Sequence, residues 1–114
     1  MNQPQTAYRA NDMCMIYLTA PTRDEAMAIG RALVREKLAA CVNVLGEAQS
    51  IYRWQGEVEE AREIVLIAKT RQALVDAALA RIKQLHSYEV PCAVAYGMAA
   101  GLPEYLAWMA GETR

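Results

Sequence analysis

The sequence has no phenylalanine, one histidine and three cysteines among its 114 residues. The cysteines, Cys14, Cys41 and Cys92, are odd in number and lack C-x-x-C spacing, which is not the pattern of a disulfide framework. Each lies in an apolar, strand-like stretch. Buried free thiols in a reducing compartment are therefore the favoured interpretation, with a metal-ligand role for at least one of them as the alternative.

Strong charge and long apolar runs are missing too. The net charge is −1, which argues against a nucleic-acid partner. No apolar run approaches the roughly 20 residues of a membrane span, so no membrane partner is expected. The first twelve residues are polar and lack the apolar core of a signal peptide, so we expect a flexible leader over 1–12 and a cytoplasmic protein. Residues 13–114 are expected to form a single domain, and 54% of the chain is hydrophobic.

Motifs of common enzymes are also missing. The sequence contains no glycine-rich phosphate loop, no H-E-x-x-H and no G-x-S-x-G. A pair formed by His86 with Cys41 or Cys92 is formally possible, but none of these cysteines lies at a helix start beside charges that would lower a thiol pKa. An enzyme is the least supported class, and we expect no catalytic residues.

The first half of the chain predicts a strand, a helix and more strands. Residues 13–18 form an apolar run, and Thr22 with Glu25 fits a capping box that opens a helix. The helix is expected to end near Lys37 or Leu38. Its apolar stripe comprises Ala26, Ile29, Leu33 and Val34.

The middle of the chain is rich in strand signals. Residues 39–45 predict a second strand closed by Gly46, and 47–49 predict a tight reversal into a strand over 50–54. A turn at Gln55-Gly56 leads back into 64–68, which is apolar at every position, as in a strand covered on both faces.

The last part of the chain predicts a helix, a strand and a short helix. Thr70 is placed to cap the second helix, 92–98 predict the last strand, and Pro103 opens the third helix. The order indicates an α+β protein with a ferredoxin-like β-α-β-β-α-β core, in which both helices lie on one face of the sheet. The middle hairpin extends beyond that core.

Five large aromatic residues stand out: Tyr52, Trp54, Tyr88, Tyr105 and Trp108. Core packing is the default for each, but 114 residues cannot easily bury them all. Ser50, Tyr52 and Trp54 share one face of their strand because side chains alternate along a strand. Self-association is a consistent use of such a surplus, since obligate interfaces are more apolar than ordinary surface.

Three polar residues are candidates for a site. Lys69 and Glu63 lie on one strand about 20 Å apart, so another element or a neighbouring subunit would have to complete any site that uses them. His86 follows a helix, where a histidine usually interacts with the helix dipole or sits in a loop. As a metal ligand it would need company from thiols or carboxylates, which three-fold association could supply.

Several motifs together resemble one family, from about Met13 to Met109. They are Thr19-Ala-Pro21, Glu36-Lys-Leu-Ala-Ala-Cys-Val-Asn43, Ser50-Ile-Tyr-Arg-Trp-Gln-Gly56, Glu63 with Lys69-Thr70, His86-Ser-Tyr-Glu-Val-Pro91 and Tyr105-Leu-Ala-Trp108. In this order they are similar to CutA, the divalent-cation-tolerance family.

The resemblance implies a ferredoxin-like subunit in a homotrimer related in architecture to the PII signalling proteins, without established enzymatic activity. It implies tolerance of copper or another divalent cation, with His86, Glu63 and Cys41 as the metal ligands to test. It also implies an intersubunit cleft formed by Tyr52, Trp54, Lys69, Tyr88, Tyr105 and Trp108. The family's proposed paired histidines and cysteine are not matched here, because Leu85 precedes His86 and Leu18 precedes Thr19.

Two other functions remain open on the residues. One is a PII-like module that binds a small anionic ligand in the cleft through Lys69 and the aromatic residues. The other is a trimeric scaffold with no small ligand. For the PII-like module, Lys69→Ala should abolish ligand-induced thermal stabilisation, while His86→Ala should not abolish metal binding. The scaffold predicts a stable trimer with an empty cleft in every screen.

Overall fold

The computed structural model describes residues 8–114 and contains four strands and three α-helices in that range. Short 3₁₀ turns at 10–12 and 72–74 precede the first strand and the second helix. The predicted leader lies mostly outside the described residues. The elements are β1 Met13–Ala20, α1 Arg23–Arg35, β2 Cys41–Trp54, β3 Glu57–Arg71, α2 Val75–Leu85, β4 Ala93–Gly97 and α3 Pro103–Gly111.

The four strands form one sheet in the order β2-β3-β1-β4, and every neighbouring pair is antiparallel. Strands β1 and β3 occupy the centre, where Ile16 pairs with Ala68 and Leu18 with Leu66. Antiparallel sheets commonly bury one face and leave the other accessible. The predicted α+β class is confirmed.

The main core lies between one face of this sheet and helices α1 and α2. Ile16, Leu18 and Leu66 on the strands pack in one cluster with Leu33 of α1 and Ile82 of α2. The helices approach the sheet closely, since a Cβ on Gly30 would lie 3.1 Å from Cγ1 of Val42. We call this the helix face of the sheet and the opposite side the open face.

Helix α1 begins as predicted and ends earlier. The hydroxyl of Thr22 accepts a hydrogen bond from the amide of Glu25, but the Glu25 carboxylate bonds Ser87 rather than completing a capping box. The helix ends at Arg35 because Lys37 adopts a left-handed conformation, and the amide of Leu38 then bonds the carbonyl of Leu33. Val34 is 41% exposed, so its predicted place on the buried stripe was wrong.

The middle of the chain corrects a prediction. Residues 41–54 form one continuous strand with no reversal at 47–49. The signal at Gly46 marks a β-bulge, where the pairing shifts between Val44 and Gly46 and Leu45 is the extra residue. Small residues and glycine signal bulges and turns alike, which is why the sequence pattern was misread.

Strands β2 and β3 are joined by a two-residue turn, as predicted. Gln55 and Gly56 have φ of 51° and 84°, the left-handed values that a tight hairpin turn needs at both positions. Only residues 64–71 of β3 pair with β1, so the rest of the hairpin extends beyond the four-stranded sheet. The described chain measures 59 × 26 × 23 Å as a result.

Thr70 does not cap the second helix. It lies in β3, fully buried, and its hydroxyl donates a 2.7 Å hydrogen bond to the carbonyl of Leu38. Helix α2 instead follows the 3₁₀ turn at 72–74 and has no side-chain cap. Across the helix layer, Arg81 donates to Glu36 at 2.9 Å, and this hydrogen bond lowers the pKa of the Glu36 carboxyl.

Helix α3 begins at Pro103, as predicted, and closes a second, smaller core. Leu106 and Met109 pack against Met13 and Ala40 at the end of the sheet away from the hairpin tip. None of the helices in residues 8–114 has the length and apolar character needed to cross a membrane.

Candidate functional site

A cavity of about 660 Å³ lies on the open face, where the long hairpin meets the loop between α2 and β4. Pockets of 300–1,000 Å³ are typical of small-molecule sites. We call it the aromatic cavity. It is lined by Tyr17, Thr19, Ser50, Tyr52, Trp54, Glu63, Ser87, Tyr88, Glu89, Val90, Pro91 and Cys92.

The bulge at Leu45 determines that Tyr52 and Trp54 line this cavity. Before the bulge, Val42 and Val44 pair with core residues of β3 and pack on the helix face. After it the alternation is shifted by one residue, because a bulge adds one residue to one strand only. Tyr52 and Trp54 therefore lie on the open face. Without the bulge they would lie on the helix face with Val42, since an even number of residues separates them from it.

Glu63 is the charged residue that lies deepest in this cavity. Glu63 is only 8% exposed, and the hydroxyl of Thr19 donates a 3.4 Å hydrogen bond to its Oε2. Within residues 8–114 no lysine or arginine forms a salt bridge with it. A carboxylate removed from water without a cationic partner is costly, so this position favours a positively charged occupant.

Glu63 also affects its neighbours. Burial raises the pKa of the Tyr88 phenol, and the negative charge of Glu63 adds to the effect. Partial burial and the Glu63 charge likewise raise the pKa of the Cys92 thiol. A hydrogen bond with Thr19 acts in the opposite direction and lowers this pKa by less than the other two effects raise it. Both groups therefore remain protonated at neutral pH.

His86 lies beneath the loop that forms one wall of the cavity. Its Nδ1 accepts a 3.0 Å hydrogen bond from the amide of Tyr88, so Nε2 carries the proton and donates to the carbonyl of Thr19 at 2.7 Å. The carboxylate of Glu25 holds the next residue by accepting from the amide and hydroxyl of Ser87. These bonds position Tyr88 against the cavity.

Lys69 belongs to a second, smaller cavity of about 370 Å³. Its ammonium lies 3.5 Å from the hydroxyl of Tyr105 and 5.6 Å from the centre of that ring, within cation–π range. Tyr105 in turn stacks near Trp108, with ring centres 5.4 Å apart. The predicted cleft residues thus fall into two groups in one subunit: Tyr52, Trp54 and Tyr88 in the first cavity, and Lys69, Tyr105 and Trp108 in or beside the second.

The three predicted metal ligands do not come together in one subunit. Glu63 and His86 both contact Thr19, but Cys41 pairs with Lys69, six residues along β3 from Glu63. No group of three or more His, Cys, Asp or Glu side chains suited to a metal occurs in residues 8–114. Both ring nitrogens of His86 are occupied by the backbone. The donors of a single subunit therefore do not fit a metal ion, and the ligand assignment stays a prediction.

The cysteines are free, but not all are buried. Cys14 is buried, Cys41 is half-buried and Cys92 is exposed at the cavity. The expectation of three buried thiols was therefore wrong for Cys92. Its strand begins one residue later, at Ala93, so Cys92 lies at the mouth of the loop rather than inside the sheet.

Sequence reasoning assigned only Tyr52, Trp54, Glu63 and Tyr88 to a site and missed the other eight residues of the cavity wall, among them Tyr17, Thr19 and Ser87. Tyr17 lies within the apolar run 13–18. Such a run predicts a buried strand but does not show which residues lie on which face of the sheet. Thr19 and Ser87 stood in motifs that gave no sign of which side chain they would contact. Only the pairing of β1 with β3 places Tyr17 and Thr19 on the same sheet face as Glu63, and Ser87 is held by its hydrogen bonds to Glu25 on α1.

The fold and the cavity define the class of protein: an α+β chain with an antiparallel sheet, a projecting hairpin and one sheet face left open by its helices. The model of the family "CutA1 divalent ion tolerance protein" matches residues 14–112. The chain therefore belongs to the CutA1 divalent ion tolerance family.

Relatives and solved structures agree with this family. The divalent-cation tolerance protein CutA of Thermus thermophilus is 44% identical over 99 residues, covering 87% of this chain and 96% of the relative. The chloroplastic CutA of Arabidopsis thaliana is 37% identical over 88% of this chain, which spans only 55% of that relative's length. The crystal structure of CutA from Xylella fastidiosa is 46% identical with a TM-score of 0.87, covering 90% of this chain and 99% of the other.

Proposed function

We propose that this chain is a non-enzymatic protein of divalent-cation tolerance that acts in the cytoplasm as a homotrimer. Its subunit is ferredoxin-like and its assembly PII-like, with the open faces of three sheets turned toward one another. The family assignment and the antiparallel sheet with both main helices on one face support this proposal. The main support is the sheet face that α1 and α2 leave uncovered.

The observation that carries the proposal is the apolar character of the open face. Tyr96 is 61% exposed there, and Tyr17 and Val94 lie beside it on the paired strands β1 and β4. Exposed apolar patches of this kind mark protein interfaces. In the proposed trimer these side chains are removed from water by the neighbouring subunits.

Assembly is tested by light scattering coupled to gel filtration. The wild-type chain is expected at three times the monomer mass of 12.6 kDa. Tyr96→Glu should dissociate the assembly because it places a charge in the proposed apolar interface. Val34→Glu is the control, because Val34 is also an exposed apolar residue but lies on α1. A monomeric wild type would refute the trimer, and equal behaviour of the two variants would refute the open face as its interface.

Binding of copper or another divalent cation is the second part of the proposal. Because one subunit lacks a fitting set of donors, we assign any ion to donors contributed by more than one subunit. Glu63 and Cys41 are the candidates whose donor atoms do not bond the backbone, unlike the ring nitrogens of His86, and they lie at separate places along the sheet. A shared site would therefore combine them from different copies.

Calorimetric titration of the trimer with Cu(II), Cu(I) and Zn(II) tests this part. A dissociation constant tighter than about 1 mM that is weakened by Glu63→Gln or Cys41→Ser is the expected result. Glu60→Gln is the matched control, since Glu60 is an exposed residue of the same strand. Weaker binding than this in the wild type, or binding that no variant alters, would end the metal proposal.

A second candidate function rests on the Lys69 cavity. A PII-like module would bind a small anion through the ammonium group of Lys69. Lys69 lines the second cavity and not the aromatic cavity. Inorganic phosphate should then raise the melting temperature of the wild type and leave Lys69→Ala unchanged. Equal shifts in both proteins would exclude this function.

A further inference from the structure

We propose that the aromatic cavity binds a small organic ammonium compound. The inference names a ligand class for the cleft of the proposed trimeric tolerance protein, and in that sense it rests on the proposed function. Its evidence lies in the charge, the aromatic faces and the size of the cavity.

The charge of the cavity has one sign. Glu63 and Glu89 contribute carboxylates, and none of the residues lining the cavity is a lysine, arginine or histidine. Glu63 is more than nine-tenths buried, and its polar neighbours are hydroxyls: Thr19 donates to it at 3.4 Å, and the Tyr88 phenol also hydrogen-bonds it. A hydroxyl does not neutralise a carboxylate, so an incoming cation gains the electrostatic attraction that one subunit leaves unused.

The aromatic rings supply the second determinant. Tyr17, Tyr52, Trp54 and Tyr88 all line the same space as Glu63. The face of an aromatic ring is negative and attracts a cation, most strongly for tryptophan, and cages of such rings recognise alkylated ammonium groups. The combination of several rings with one carboxylate is therefore suited to an ammonium head rather than to a neutral or anionic group.

The cavity suits an organic cation better than a bare metal ion. A volume of about 660 Å³ is that of a small-molecule pocket. Within residues 8–114, no group of three or more His, Cys, Asp or Glu side chains is placed to hold a metal ion there. The carboxylate and the rings thus remain as the recognition groups, and rings are poor ligands for a hard divalent ion.

Choline and its neutral carbon isostere, 3,3-dimethylbutan-1-ol, are the probes that isolate the charge. Calorimetric titration of the full-length protein at constant ionic strength should give a Kd for choline of about 1 mM or tighter. The isostere should bind at least about tenfold more weakly, because it has the same shape without the cation. Choline should also change the fluorescence of Trp54 in a Trp108→Phe background.

Two variants locate the binding. Glu63→Gln keeps the shape of the side chain and removes its charge, so choline should bind about tenfold more weakly. Glu60→Gln, the control on the same strand, should stay within about twofold of the wild type. Circular dichroism and light scattering of each variant verify that fold and assembly are retained.

Three results would overturn the inference. The first is equal affinity for choline and its isostere. The second is a loss of choline affinity in Glu60→Gln as large as that in Glu63→Gln. The third is choline binding that appears only after Lys69→Ala. The last would mean that a lysine of another copy occupies the cavity. A trimer that binds no choline refutes this inference alone, whereas a monomer that binds it refutes the trimer alone.

Discussion

The two faces of the four-stranded sheet differ in what covers them. On β1, Ile16 and Leu18 point to the helix face and are fully buried, while Tyr17 between them points to the open face and remains partly exposed. The helix face is closed by α1 and α2 of the same chain. The open face carries rings, a buried carboxylate and a cavity instead.

The difference shows how one strand serves both stability and binding. Because successive side chains alternate, the residues that form the core and those that line the cavity lie next to each other in sequence. A change on the helix face is expected to alter folding, and a change on the open face to alter assembly or ligand binding. The predictions below test that division.

The largest effect is expected for Leu66→Ala. Leu66 is 0% exposed in the main core, so its truncation should lower the free energy of unfolding by about 2–5 kcal/mol. Urea denaturation measures this change. Val34→Ala, on the solvent side of α1, should stay within about 0.5 kcal/mol of the wild type. Similar losses in both variants would mean that the helix face is not the dominant core.

His86→Ala is expected to have the second-largest effect. It should lower the free energy of unfolding by about 1–3 kcal/mol, because the carbonyl of Thr19 and the amide of Tyr88 lose their hydrogen-bond partners. Denaturant unfolding measures this loss, and calorimetry with Cu(II) measures any change of metal affinity. We expect stability to change and metal affinity to change less than tenfold. A stable variant with abolished metal binding would assign His86 to the metal rather than to the loop.

Thr70→Val should cost about 1 kcal/mol, since it keeps the shape of the side chain and leaves the carbonyl of Leu38 without its buried donor. Thermal unfolding provides the measurement. Thr19→Val is the comparison on the open face, where the hydroxyl makes a longer bond to Glu63. A neutral Thr70→Val would show that the 2.7 Å hydrogen bond does not contribute to folding.

The smallest effect concerns alkaline pH. Burial, followed by the Glu63 charge, raises the pKa of Tyr88 in the folded state. The stability from the neutral phenol is therefore present below the unfolded pKa of about 10 and is lost as pH rises through the folded value. Stability curves from pH 8 upward should fall less steeply for Tyr88→Phe than for the wild type. An identical slope, with Tyr105→Phe as the matched control, would contradict a raised pKa of Tyr88 in the folded state.

Much of the fold could be predicted from local sequence signals. The turn at Gln55-Gly56, the hydroxyl of Thr22 at the start of α1 and Pro103 at the start of α3 depend on backbone preferences of neighbouring residues. Of the site, the shared face of Tyr52 and Trp54 followed from strand alternation alone. These features need no knowledge of distant contacts.

Other features could not be predicted because they depend on residues far apart in sequence. Thr70 resembles a helix cap until Leu38, 32 residues earlier, is found to accept its hydrogen bond. His86 resembles a free ligand until the carbonyl of Thr19, 67 residues away, is found to accept a hydrogen bond from its Nε2. Which polar partner a side chain chooses is a property of the packed chain.

Apart from the false reversal at 47–49, the sequence by itself determined the order of strands and helices, the hairpin turn and the family, since these depend on local propensity and on motifs that can be read in order. Only the tertiary structure decided that the bulge at Leu45 turns Tyr52 and Trp54 away from the helices and toward Glu63. It also separated Lys69 from them within one subunit. The physical reason is register: a shift of one residue between paired strands exchanges their two faces, and that shift is determined by contacts across the sheet.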